Sequence, residues 1–123
     1  MEAANASMYD GASALAEATA DMVVTQQEAF GPVVVVLAFD DEDEAVALAN
    51  ATHFGLYDYV WTADANRGFT VAGRLRSGNV GINTLQRNHE APFGGFKQSG
   101  VGRDGGSYGL HAYSELQSVV WSS

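Results

Sequence analysis

The run VVVVLAF at residues 33–39 is the feature that most limits how this chain can fold. Every side chain in it is apolar and four are β-branched valines, without the alternation of polar and apolar residues that a half-exposed strand shows. Such a run is typical of a strand covered on both faces, as in a parallel sheet. We therefore expect an α/β fold in which helices cover a sheet.

The acidic run DDEDE at residues 40–44 predicts the start of a helix. Asp40 or Asp41 can cap its N-terminus, and the acids that follow suit the positive end of the helix dipole. Gly55 is expected to end this helix. A cation site is the less favoured alternative, because metal binding requires ligands that converge rather than a run of charges.

Strand and helix patterns continue to alternate as far as residue 83. Residues 57–62 (YDYVWT) have the aromatic and β-branched content of a strand. Asp64 can cap a second helix over residues 65–75, with Gly78 at its end, and residues 79–83 (NVGIN) predict a third strand. This succession predicts a small parallel sheet with right-handed βαβαβ crossovers.

The two ends of the chain are less regular. Residues 1–20 are interpreted as a poorly defined segment, with a weak helix pattern over 12–20, ahead of a partial domain at 21–123. Residues 116–121 (LQSVVW) predict a C-terminal edge strand, which either returns to the sheet of its own chain or pairs with another chain. Pairing with another chain, together with apolar sheet surface that no other element covers, predicts a homo-oligomer.

Composition excludes several classes of function. The 123 residues suit one domain, and the formal charge of -9 with six basic residues argues against a nucleic-acid partner, which needs clustered Lys and Arg. No apolar run approaches the ~18 residues of a membrane span, and no signal-peptide pattern begins the chain. We therefore expect no membrane partner and a cytoplasmic location. The absence of Cys excludes a thiolate nucleophile within this chain.

Residues 84–106 form a long, polar, glycine-rich loop, and loops of this length are usually functional. Gly100, Gly102 and Gly105 fit the pattern G-x-G-x-x-G, but they do not follow a strand and precede only a short helix pattern, so a structural glycine loop is preferred. The three His residues lack the spacing of a metal site. Neither Ser99 nor Ser107 is interpreted as a nucleophile, so neither a metal nor a catalytic residue is predicted.

The segment QEAFGPV at residues 27–33 is a better candidate for ligand binding. Glu28 and Phe30 place a carboxylate and an aromatic ring two positions apart, just before the predicted buried strand. A carboxylate can accept two hydroxyl hydrogen bonds, as a ribose diol offers them. The residues alone nevertheless favour the plainer interpretation, which is a solvent-exposed Glu and a core Phe.

Six motifs follow one another along the chain. They are EAFGPV (28–33), DDEDEAVALANATHFGL (40–56), VWTAD (60–64), SGNVGIN (77–83), APFGGFKQSGVGRDGG (91–106) and GLHAYSE (109–115). In this order they resemble the C-terminal part of the catalytic domain of NAD(P)-dependent aldehyde dehydrogenases, over about residues 21–121. The agreement of several separate motifs makes the resemblance specific.

The resemblance implies binding roles for four residues. Glu28 would hold the nicotinamide ribose and Phe30 would lie against the nicotinamide, with NAD or NADP as the cofactor. Phe93 would line the aldehyde pocket. Arg87 stands where many family members have an apolar or aromatic pocket residue, and we expect it to pair with an anionic or polar group of the substrate.

The same resemblance implies structural roles elsewhere in the C-terminal region. Lys97 and Arg103, in the glycine loop, are expected to be structural hydrogen-bond donors rather than catalysts. The final strand would belong to the oligomerisation element of the family.

The resemblance also implies what this chain lacks. In that family the catalytic Cys, the general-base Glu and the Rossmann domain come earlier in the sequence. We therefore expect the C-terminal portion of an enzyme that oxidises an aldehyde to a carboxylic acid with NAD(P). Alone it would be inactive and would not bind the cofactor, and its partner would be a second copy or the missing N-terminal half. The alternative is a non-catalytic module of the same family for self-association or partner binding.

Overall fold

The structure, a computed structural model, describes residues 4–5 and 13–122. In chain order its elements are β1 (Ala4–Asn5), β2 (Ser13–Leu15), α1 (Val23–Gln26), β3 (Val33–Val35), α2 (Glu42–Asn50), β4 (Tyr57–Val60), α3 (Ala65–Ala72), β5 (Asn79–Ile82), a 3₁₀ turn (Lys97–Ser99) and α4 (Gly106–His111). The predicted α/β class is confirmed. None of the helices in the described ranges is long and apolar enough to cross a membrane. The chain divides into two compact units, Met1–His53 and Phe54–Ser123.

The first unit contains a three-stranded sheet in the order β1-β2-β3. β2 pairs antiparallel with β1 and parallel with β3, and Ser13 lies opposite Val33. The helix predicted over residues 12–20 is therefore wrong at Ser13–Leu15, and residue 12 lies outside the described residues. Pairing with β3 satisfies the backbone groups of β2, which outweighs a weak helix propensity.

The apolar run after Pro32 is covered on one face only. Only Val33–Val35 has strand geometry, and the side chains alternate between the two faces of the sheet. Val35 and Leu37 line an apolar groove together with residues of α1 and α2. On the other face Val34 and Val36 are 61% and 51% exposed. The predicted coverage of both faces is thus wrong, because the helices of this unit lie against one side.

The capping of α2 is local and follows the sequence prediction. The Asp41 carboxylate accepts a hydrogen bond from the Glu44 N–H (2.8 Å), and the Glu44 carboxylate accepts one from the Asp40 N–H (2.7 Å). The arrangement is a variant of the capping box, because Glu44 reaches the N–H of the residue before the N-cap instead of that of Asp41 itself. α2 ends at Asn50 and so does not extend to Gly55, where its end was predicted.

The second unit is built on a parallel pair of strands, β4 and β5, joined by α3. Tyr57 lies opposite Asn79 and Val60 lies opposite Ile82. Asp64 caps α3 by accepting hydrogen bonds from two N–H groups of its first turn, as predicted. This strand–helix–strand crossover is confirmed, while β3 belongs to the other sheet, so the strands form two small sheets rather than one.

The glycines of the second unit allow three backbone segments to cross. The carbonyl of Gly55 accepts hydrogen bonds from the N–H groups of Gly78 (3.0 Å) and Phe96 (2.7 Å), and its own N–H donates to the Ser99 hydroxyl (2.9 Å). A Cβ added at Gly78 would lie 1.7 Å from the carbonyl oxygen of Gly94. Any side chain there would separate the segments. The glycine-rich loop therefore serves this crossing.

The C-terminal residues 112–122 form no strand within the described chain. The side chains of Leu116, Val120 and Trp121 are 95%, 90% and 82% exposed. The predicted return of residues 116–121 to a sheet of their own chain is wrong. A strand needs the backbone of a neighbour to satisfy its N–H and C=O groups, and none of the described strands offers one here. Pairing with another chain stays a prediction.

Candidate functional site

Glu28 and Phe30 lie in the segment between α1 and β3, and both side chains are exposed. The ring of Phe30 is 92% exposed. A core position for Phe30, which the residues alone favoured, is therefore wrong. An exposed carboxylate and an exposed ring two positions apart fit a ribose and a flat heterocycle, because the carboxylate accepts hydroxyl protons and the ring offers a face for stacking.

The backbone of Phe30 is strained. Its φ is 47°, in the left-handed region that side chains other than Gly, Asn and Asp seldom occupy. The turn that follows is held by hydrogen bonds from the Val33 N–H to the Gly31 carbonyl (2.7 Å) and from the Ser13 N–H to the Pro32 carbonyl (2.8 Å). Phe30 thus combines a left-handed backbone conformation with an almost fully exposed ring.

Phe93 and Arg87, both in the second unit, are brought together. The central guanidinium carbon of Arg87 lies 3.7 Å from the centroid of the Phe93 ring. Phe93 is half-buried, and its backbone pairs with Asp104 through two hydrogen bonds of 2.6 and 2.7 Å. The ring is thus held in place, and the guanidinium rests on it.

An aromatic row supports this ring. It consists of Tyr59, Tyr57 and Phe93: the two Tyr rings stack at 4.6 Å, and Tyr57 lies 6.5 Å from Phe93. The Tyr57 hydroxyl also donates to the carbonyl of Gln86, next to Arg87, at 3.4 Å. Neither Tyr residue was predicted to belong to a site. Their spacing of two on one strand could have shown that they share a face.

A cleft of about 300 Å³ opens beside Phe93. Its lining includes Arg103, Asp104 and Tyr113, and it does not include Arg87. This volume is at the lower end of the range of small-molecule sites, roughly 300–1,000 Å³. Phe93 therefore contacts a guanidinium and also lines a space that a small ligand can occupy.

Arg103 is a structural donor, as predicted. Its Nη1 atom donates to the carbonyls of Gly95 (3.0 Å) and Gly102 (2.7 Å), which connects two segments of the glycine loop. Lys97 begins the 3₁₀ turn with a φ of 54°.

Gly105, at φ 75°, precedes only the six-residue helix α4. The G-x-G-x-x-G pattern is therefore part of a structural loop, and no cluster of three or more potential metal ligands occurs in residues 13–122.

The fold identifies the chain as an α/β protein built on parallel crossovers, an architecture that many dinucleotide-dependent enzymes share. The family follows from comparison with known proteins. Residues 4–119 match the model of the aldehyde dehydrogenase family. The chain belongs to this family, which confirms the resemblance seen in its motifs.

Two curated relatives give the extent of the similarity. The 3-sulfolactaldehyde dehydrogenase of Pseudomonas putida is 48% identical over 106 residues, which are 85% of this chain and 22% of that protein. The betaine aldehyde dehydrogenase of Agrobacterium fabrum is 47% identical over 116 residues, 94% of this chain and 24% of that protein. The chain thus spans less than a quarter of the length of these relatives.

A solved structure has the same fold. The NAD⁺ complex of the aldehyde dehydrogenase from Bacillus cereus superposes with a TM-score of 0.84 at 46% identity. The superposition covers 88% of this chain and 22% of that one. NAD is therefore supported as a cofactor at the level of the family.

Proposed function

We propose that this chain supplies cofactor-side and substrate-side binding residues to an NAD-dependent aldehyde dehydrogenase, and that it is inactive alone. The observation that carries the proposal is the exposed, strained Phe30 beside Glu28. Membership of the family and the NAD⁺ complex of the Bacillus cereus relative support it. The reaction is the oxidation of an aldehyde to a carboxylic acid.

On the cofactor side, each residue has a distinct task. The two carboxylate oxygens of Glu28 accept hydrogen bonds from the hydroxyls of the nicotinamide ribose. The ring of Phe30 lies against the nicotinamide and fixes its orientation. NAD, when bound, supplies the acceptor for the hydride. The strain at Phe30 is the cost of projecting its ring outward instead of into a core.

On the substrate side, Phe93 forms a wall of the aldehyde pocket. Its pairing with Asp104 and the aromatic row beneath it keep the ring in one position. A fixed apolar wall excludes water and orients the aldehyde for attack. This chain has no Cys, so a thiolate nucleophile must come from outside these 123 residues.

The alternative is a non-catalytic module that associates with itself or with a partner. The exposed Leu116, Val120 and Trp121 side chains favour it, since exposed apolar residues of a strand-forming sequence tend to pair with another chain. The enzyme portion and the non-catalytic module would both form either a homo-oligomer or a complex with an N-terminal half. The same C-terminal residues can pair with a second copy or with that half.

Complementation tests the proposed function. NAD is titrated calorimetrically into the purified chain, and aldehyde oxidation is assayed alone and with the N-terminal three-quarters of the Agrobacterium fabrum relative. We expect neither NAD binding nor turnover alone, and turnover after complementation. Turnover by the chain alone contradicts the proposal that it is inactive. The absence of turnover in a stable complex with the N-terminal piece favours the non-catalytic module.

Two substitutions in the complemented enzyme test the site. Glu28→Gln removes the charge that accepts the ribose hydroxyls, and Phe30→Ala removes the ring. Glu28→Gln should raise the KM for NAD about tenfold or more, since a hydrogen bond to a charged group contributes roughly 1.5–3 kcal/mol. Phe30→Ala should raise it roughly two- to tenfold, since a stacked aromatic pair contributes about 0.5–1.5 kcal/mol. Glu115→Gln, an exposed control outside the site, should leave the KM unchanged. An unchanged KM in all three variants would exclude the proposed roles.

A further inference from the structure

Arg87 carries a charge that no acidic side chain among residues 13–122 neutralises. The chain has 15 acidic residues and 6 basic ones, so carboxylate partners are plentiful. The guanidinium nevertheless contacts the Phe93 ring, and within the described part of the chain it takes part in no ion pair or hydrogen bond. Its side chain is exposed. Its charge is therefore available to an anion from outside.

The geometry of the contact determines which part of Arg87 an anion can reach. With its central carbon 3.7 Å from the ring centroid, the guanidinium has its face on the ring, because an N–H group pointing at the ring would hold that carbon further away. The five N–H donors lie in the plane of the group. Its edges thus point away from the ring, and a carboxylate or sulfonate can accept two parallel hydrogen bonds there.

The support beneath Arg87 keeps this arrangement in place. Phe93 is anchored to Asp104 by two backbone hydrogen bonds, and its ring adjoins Tyr57 on β4. The backbone next to Arg87 is tied to the same strand, since Gln86 accepts a hydrogen bond from the Tyr57 hydroxyl. Because the long Arg87 side chain is already ordered, it loses less conformational entropy when an anion binds.

We propose that Arg87 is a specificity-determining residue that selects aldehydes bearing a carboxylate or sulfonate at the end remote from the aldehyde. It also disfavours cationic aldehydes, because a quaternary ammonium group binds to aromatic ring faces, and the guanidinium already covers a face of Phe93. This inference rests on the proposed function, in which Phe93 lines the aldehyde pocket. Arg87 does not line the cleft of about 300 Å³ itself, so the inference places the charged end of the aldehyde beside the Phe93 ring rather than inside that cleft.

Binding of unreactive probes to the full chain tests the anion site without turnover. The NMR signals of the Arg87 Nε–H group and the Phe93 ring are followed while propane-1-sulfonate, propanoate, 1-propanol or propyltrimethylammonium is added. We expect the two anions to shift both signals, and the alcohol and the ammonium ion to leave them unmoved. The shifts should weaken as salt is added, since the site is exposed to solvent.

Variants separate a specific site from general attraction of anions. Arg87→Gln should abolish the response of the Phe93 ring, and Arg87→Lys should weaken it, because an ammonium group cannot form the planar bidentate pair. Arg67→Gln, which removes an exposed charge on α3, should leave the response intact. A Phe93 response that survives Arg87→Gln, or equal responses to all four probes, overturns the proposal.

Kinetics of the complemented enzyme distinguish this inference from the proposed function. The ratio of kcat/KM for an anionic aldehyde to that for an uncharged aldehyde of the same length should fall roughly tenfold in Arg87→Gln, the loss expected for a charge-assisted pair. Arg67→Gln should leave the ratio unchanged. Turnover without a preference for the anion overturns the role of Arg87 and leaves the proposed function intact. Anion binding without turnover contradicts the proposed function and overturns substrate selection by Arg87, although the anion site itself is then retained.

Discussion

The side chain of Asn83 binds the backbone of Thr62 on both sides. The Asn83 Oδ1 atom accepts a hydrogen bond from the Thr62 N–H (2.8 Å), and its Nδ2 atom donates to the Thr62 carbonyl (2.7 Å). Asn83 has a φ of 53°, so its backbone turns away just after β5. The carboxamide thus takes the place of a backbone amide and extends the pairing of β4 and β5 beyond the last strand residues.

Asn83→Asp should destabilise the chain at neutral pH by about 0.5–1.5 kcal/mol, because a carboxylate replaces the donor that faces the Thr62 carbonyl and both hydrogen bonds are exposed to solvent. The loss should diminish at low pH, where the protonated acid can donate again. Urea unfolding at pH 7 measures the effect. Asn66→Asp in the first turn of α3 is the control and should be neutral, since an acid there suits the helix dipole. Equal stability of the Asn83 variant and the parent chain would contradict the role of the carboxamide.

Gly78→Ala should destabilise the second unit by at least about 3 kcal/mol, the range of substitutions that force packed groups apart. The added Cβ would lie 1.7 Å from the Gly94 carbonyl oxygen, where two backbone segments cross. Gly102→Ala is a matched control, because no atom lies within 4 Å of its added Cβ. Thermal unfolding followed by circular dichroism should show a lower Tm for Gly78→Ala alone. Similar Tm values for the two variants would argue against a tight crossing.

Phe30→Asn should stabilise the chain by about 0.5–1 kcal/mol, because Asn adopts the left-handed conformation at a lower cost than a bulky residue does. Little apolar burial is lost, since the ring is exposed. Phe30→Ala, which retains the strain, should change stability less. Denaturant midpoints measure both. A Phe30→Asn variant that is less stable than the parent would show that the ring stabilises the fold and would weaken the argument from strain.

The chain should sediment as a dimer or a larger oligomer at high concentration, because residues 116–121 expose apolar side chains and have no strand partner within the described chain. Val120→Pro removes a backbone donor and should weaken association at least tenfold. Val120→Thr retains strand propensity and should associate more strongly than the Pro variant. A stable monomer of the parent chain excludes self-association, and undiminished association of the Pro variant places the interface elsewhere.

Local patterns predicted the elements whose signals lie within a few residues. Asp41 and Asp64 cap their helices as expected, since a cap is made by a side chain and the N–H groups that directly follow it. β4 and β5 also lie where their residues predicted them, because short strands flanking a helix pair in parallel. β2 was missed because its strand conformation depends on pairing with β3, about 20 residues along the chain.

The candidate site divides in the same way. Residue identities and short spacings were sufficient to predict the family, the helix caps, the crossover between β4 and β5, and the absence of a thiolate from this chain. The exposure and strain of Phe30, and the contact of Arg87 with Phe93, became apparent in the folded chain. Exposure and long-range contacts depend on which surfaces the folded backbone brings together, and spacing along the chain does not specify them.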